Sequence, residues 1–139
     1  LSLESVETQI RELISSDPEK VEEAVRRGLV QLERKNAGRT LATLAQAWAD
    51  GRMRLLESYP EWCDCVQDKA DRRDYEKLVD GRNPGMASAI VREIESGKNL
   101  FAAVGALHMI GPRGLPHLLS AKGFKVTRVE FAPPSAAAE

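Results

Sequence analysis

Gly105-Ala106-Leu107-His108 is the segment of this 139-residue chain best placed to do chemistry. It follows a short apolar run, Leu100 to Val104. In open parallel sheets the carboxyl ends of such runs face the crevice where ligands bind. Gly105 would let a ligand or cofactor approach the backbone closely. His108 could hold a metal through one ring nitrogen, or act as general acid or base near neutral pH. The plainer alternative is a histidine packed in a loop with both nitrogens satisfied, and position alone does not choose between the two. His117, the other histidine, falls in an expected short helix with its ring toward solvent. With only two histidines, a self-contained two-histidine metal centre is not expected.

Cys63 and Cys65 are the only cysteines. A disulfide between such near neighbours is geometrically awkward, and two thiolates fall short of the four ligands zinc usually takes. They read as two small side chains on a helix, and they leave the compartment open. The glycines at 105, 111 and 114 match neither a phosphate loop nor a dinucleotide fingerprint, and no serine has a nucleophile-elbow context. Twenty basic residues balance twenty-one acidic ones, and the pairs Arg26-Arg27 and Arg72-Arg73 are embedded among acids. A nucleic-acid partner is therefore not expected. No apolar run approaches the length of a membrane span. Aromatics are only 5% of residues, so the core must lean on Leu, Val, Ile and Ala.

The elements that would position His108 are mostly helices. Leu3, Val6, Ile10, Leu13 and Ile14 recur at helical spacing. Asp17-Pro18 restarts the chain as a cap and a first helical residue, with Val21, Ala24, Val25, Leu29 and Leu32 on one face. Lys35 to Gly38 ends that helix, and Thr40 caps a third with Leu41, Leu44, Ala45 and Trp48 as its stripe. Glu61 to Asp80 predicts a charged helix largely in solvent, and Asn83-Pro84 opens another that Gly97 closes. At Leu100 the pattern changes. Leu100–Val104 reads as a strand buried on both faces, Leu115–Leu119 as a short helix, and Phe124–Phe131 as a second strand. The spacing predicts an α/β architecture, mainly helical, with a parallel βαβ unit over residues 100–131. Two strands make no independently stable sheet, so further strands are expected upstream of Leu1 or from a partner molecule. The chain is thus expected to be a portion of a larger domain over residues 1–132, with a disordered tail at 133–139. Its unpaired strands lead us to expect a homo-oligomer.

The run from Phe101 to Val126 resembles the closing signature of TraB/PrgY/GumN proteins: a strand, Gly-x-x-His, Gly-x-x-Gly-Leu before a Leu-Leu helix, then Lys-Gly-aromatic-x-Val. Leu3-Glu4-Ser5 with Gln9 is similar to the family's Leu-Glu-Thr…Gln helix start, Trp48-Ala-Asp-Gly to its Trp-x-x-Gly turn, and Arg82-Asn83 with Met86 to its Arg-Asn helix. Pro84 departs from that helix pattern and would break it. The resemblance implies a metal-dependent hydrolase, a peptidase in the Tiki branch, built on two Gly-x-x-His motifs and acidic residues. Only one such motif occurs here. Within that frame His108 would be ligand or acid/base, Glu4 a metal ligand, and Arg82 a bidentate clamp for a substrate carboxylate. For Glu4 and Arg82 the alternative is an ordinary surface charge. The complete domain would take a divalent metal of Mn, Co or Zn type, with none tightly bound by this chain alone. The rival function is a non-catalytic module that sequesters a peptide or pheromone. The resemblance also favours an extracytoplasmic or periplasmic location.

Overall fold

The computed structural model describes residues 2–33 and 36–130. Helix α1 (Val6–Leu13) opens on Ser5, whose hydroxyl accepts from the Thr8 amide at 3.1 Å. Helix α2 (Pro18–Glu33) starts as its Asp17-Pro18 signal predicts, with Asp17 Oδ1 accepting from the Glu19 amide at 3.0 Å. Its apolar residues Val21, Val25, Leu29 and Leu32 are exposed. Helix α3 (Ala37–Ala49) begins ahead of the expected cap Thr40, so Ala37 and Gly38 open a helix instead of ending one. Gly51, at φ +63°, turns the chain from α3 into α4 (Met53–Glu57), and α5 (Tyr59–Trp62) follows.

Helix α6 (Lys69–Leu78) is shorter than the charged stretch predicts, because Asp68 caps it from within. The Asp68 carboxylate accepts from the Ala70 and Asp71 amides at 2.7 and 2.9 Å. Helix α7 (Asn83–Glu95) is unbroken by Pro84, which lies in its first turn, where the missing N–H has no helical partner to lose. Gly97, at φ +83°, lies just past its end. A 3₁₀ turn (Ala106–Met109) and α8 (Leu115–Ala121) complete the regular structure of the described residues. None of their helices is long and apolar enough to cross a membrane.

The predicted βαβ unit is not formed. Among the described residues there is no strand and no sheet. The helix between the two apolar runs is present, but no backbone hydrogen bond joins Leu100–Val104 to the segment 124–130. A strand exists only through a ladder with a neighbour, and an apolar run supplies the propensity without supplying that neighbour. Nor is the first run buried on both faces. Leu100 and Val104 pack against the core while Phe101 is 91% exposed. Phe131 and the expected tail lie outside the described residues.

The cysteines also depart from expectation: Cys63 and Cys65 form a disulfide. Asp64 between them takes φ +58°, a left-handed conformation that Asp tolerates better than most residues. It folds the chain back so that the flanking Cα atoms lie 5.1 Å apart.

Two apolar patches hold the structure. One joins Met86, Ala87 and Ile90 of α7 to Leu115 of α8, with Leu3 and Val104 against them. The other gathers Ala47, Leu56 and Ile110, with Leu107 alongside. The 3₁₀ turn therefore runs from one patch to the other, and His108 is carried on a segment anchored at both ends.

Candidate functional site

Asn83, the first residue of α7, is fully buried. Its Nδ2 donates to the Arg113 carbonyl at 2.7 Å, which turns Oδ1 toward Nδ1 of His108, also at 2.7 Å. An amide oxygen only accepts, so the proton between them belongs to the imidazole. This tautomer is assigned from hydrogen-bond polarity. With Nδ1 protonated, the neutral ring carries its lone pair on Nε2. The backbone adds a second restraint, since the His108 amide donates to the Gly105 carbonyl at 3.0 Å across the 3₁₀ turn.

Glu4 and Arg82, far apart in sequence, meet beside the histidine. Arg82 Nε donates to Glu4 Oε1 at 2.8 Å and Nη2 donates to Oε2, a fork-to-fork pair. The two side chains are only 9% and 18% exposed, Glu4 the lower, so solvent screens this pair less than a surface one. Arg82 Nη1 also reaches the Leu78 carbonyl at 3.4 Å. The guanidinium is thus engaged inside the protein, and a substrate carboxylate would have to displace Glu4 to use it.

These groups share one cleft of about 340 Å³, lined among others by Leu3, Glu4, Arg82, Met86, Gly105 and His108. Every site residue singled out from sequence is therefore on one surface. Gly105 sits at φ −61°, and a Cβ there would make ordinary contact with the His108 ring at 3.7 Å. Neither backbone nor crowding requires a glycine at this wall of the cleft. His117 is exposed on α8 and takes no part.

The electrostatics follow from this packing. Burial lowers the His108 pKa from its ordinary 6.5, with help from the Arg82 charge. Glu4, the Val79 carbonyl and Asp80 pull the other way. The neutral ring is favoured, and it is the form that can accept a proton. Glu4 is held below the usual carboxylate range by its hydrogen bond from Arg82, against the cost of burial. Arg82 is raised in turn by the same bond.

A metal is the cofactor that the resemblance implies, and the donors can be tested against it. Among the described residues no group of three or more His, Cys, Asp or Glu side chains is arranged to hold a metal ion. Both Glu4 oxygens take Arg82 protons, His108 Nδ1 is turned to Asn83, and the ring also meets the Val79 carbonyl. These residues alone do not fit a metal centre.

The model of the TraB/PrgY/gumN family matches residues 1–128. The chain belongs to the TraB/PrgY/gumN family. No curated protein and no solved structure gives a match. Within this TraB/PrgY/gumN chain the match takes in Glu4, Arg82, Asn83, Gly105 and His108 together. Sequence reasoning missed the part Asn83 plays. Its only signal was the place beside Arg82 at a helix start, where a polar residue passes for a cap.

Proposed function

We propose that this TraB/PrgY/gumN chain carries part of a hydrolytic site for peptide-like substrates, with His108 as its acid/base group. The observation that supports this reading is the 2.7 Å contact of His108 Nδ1 with an Asn83 oxygen whose orientation is itself fixed by the Arg113 carbonyl. Asn83 acts as a positioning residue: it sets the tautomer and fixes the ring at the wall of the cleft. A neutral imidazole so held takes a proton from an attacking water and returns it to the leaving amine. The Glu4–Arg82 pair keeps a fixed dipole beside the ring. A divalent metal at this site would need donors from outside the described residues. The Cys63–Cys65 disulfide is consistent with the extracytoplasmic location that the resemblance implies.

The second reading, a peptide-sequestering module, has its own support. The backbone amides and carbonyls of Leu100–Val104 make no backbone hydrogen bonds among the described residues, and this segment forms one edge of the cleft. An extended peptide could add alongside it.

Peptide cleavage by the longest form of the protein separates the two. Replacing His108 by Ala should abolish cleavage, by a factor on the order of 10² or more, while peptide binding changes little and the melting temperature falls by several degrees as the buried Asn83 oxygen loses its partner. Retained cleavage in the variant would remove His108 from the chemistry. Binding without cleavage in the unmodified protein would favour the module.

A further inference from the structure

The cleft at His108 leaves the Cys63–Cys65 pair unexplained. It sits in the turn between α5 and α6, and neither cysteine lines the cleft. Its two halves differ in surroundings. Cys63 is buried at 4% exposure, whereas Cys65 is half-buried and lies nearer the surface. The Cys65 amide donates to Cys63 Sγ at 3.1 Å. An N–H aimed at a sulfur favours its thiolate, and a stabilised thiolate is the better leaving group in exchange. The intervening Asp64 sits at φ +58° while the bond is closed, a conformation an L-residue visits at some cost. Opening the bond lets that residue return to a commoner one.

We infer that Cys63–Cys65 is a reversible dithiol–disulfide exchange site for small thiols, entered at Cys65. An incoming thiolate attacks Cys65 Sγ, forms a mixed disulfide there, and expels Cys63 as a thiolate held by the Cys65 amide. A second thiol attacks the mixed disulfide at the sulfur of the first thiol. This releases the oxidised small-molecule disulfide and leaves Cys65 as a thiolate. Both protein thiolates take up the protons the two small thiols gave up. The sum is one protein disulfide and two thiols converted to one protein dithiol and one small-molecule disulfide. The reverse sequence reoxidises the pair. Nearby acids, Glu61 and Asp68 among them, oppose thiolate formation, so the amide contact must outweigh them.

The test uses the intact chain in its native state, with reduced and oxidised glutathione as the probe and alkylation followed by mass measurement as the readout. The pair should open and close with the glutathione ratio, and its reduction rate should change by no more than about threefold when sub-denaturing urea is added. Cys63→Ser should trap a stable mixed disulfide with glutathione at Cys65, while Cys65→Ser should trap at least about tenfold less. A bond that yields only after the chain unfolds would overturn the proposal and mark a purely structural disulfide. So would two cysteines that remain free thiols in oxidised glutathione, or trapping that favours Cys63. The unmodified chain decides the first two outcomes even where a variant fails to fold.

Discussion

Removing the Asn83 amide should cost more than any other single change at the cleft. Replacing it by Ala removes the donor to the Arg113 carbonyl and the acceptor for His108 Nδ1–H, both at 2.7 Å, from a residue with no exposed surface. Each partner left without a bond costs about 1–3 kcal/mol, so Asn83→Ala should lose roughly 2–6 kcal/mol. For a chain of this size that is a fall of roughly 6–18 °C in melting temperature. Asn83→Asp keeps the shape but changes the polarity. It cannot donate to Arg113, and it sets an anion against the imidazole, so the His108 pKa should move up from its lowered position. Circular-dichroism melts give the first quantity and a proton NMR titration of His108 gives the second. An Ala variant melting within about 2 °C of the parent would refute the reasoning, as would an Asp variant whose His108 titrates unchanged.

Acid should weaken the fold through the same cleft. The folded-state pKa of His108 lies below 6.5, so its contribution is complete above that value and is lost as pH falls through the lowered one. Glu4 behaves likewise from 4.5 downward. Urea midpoints measured from neutral to acid pH should decline in both windows, and His108→Gln should flatten the upper one; an unaltered profile would count against the assignment. Gly114→Ala places a Cβ 2.4 Å from the Ile110 carbonyl oxygen, a backbone atom with little room to move, and should cost about 1–3 kcal/mol by chemical denaturation. A midpoint equal to the parent's would show that the loop yields freely. Asp68→Ala should lower the midpoint measurably through its lost cap, with Asp68→Asn lowering it clearly less. Equal losses in the two would locate the effect in charge instead of hydrogen bonding.

Most helix starts were legible because the signal and its physical cause are local. Asp17-Pro18 and Asn83-Pro84 begin helices where their backbone chemistry says they should. Sheet content was not legible, since the apolar run Leu100–Val104 fits a strand whether or not a second segment is there to pair with it. The disulfide was missed because a two-residue separation looks forbidding until Asp64 adopts a left-handed turn. At the cleft, Gly-x-x-His marked His108 and the helix-start patterns marked Glu4 and Arg82, yet spacing could not show that the last two neutralise each other. Asn83 escaped notice because its role depends on Arg113 and His108, two residues brought to it only by folding.

The exposed flank of α2 bears on how the molecule opens. Val21, Val25, Leu29 and Leu32 face solvent, so this helix draws little support from the two apolar patches. A helix of 16 residues standing largely on its own propensity is marginal in water. Its amides should therefore exchange with deuterium by fraying in place, while those of α7 and α8 wait for cooperative opening. The protein then has two tiers of protection, and a denaturant slope would report chiefly the surface released around α7. His108 and Asn83 belong to the slow tier, so their contact persists through excursions that fray α2.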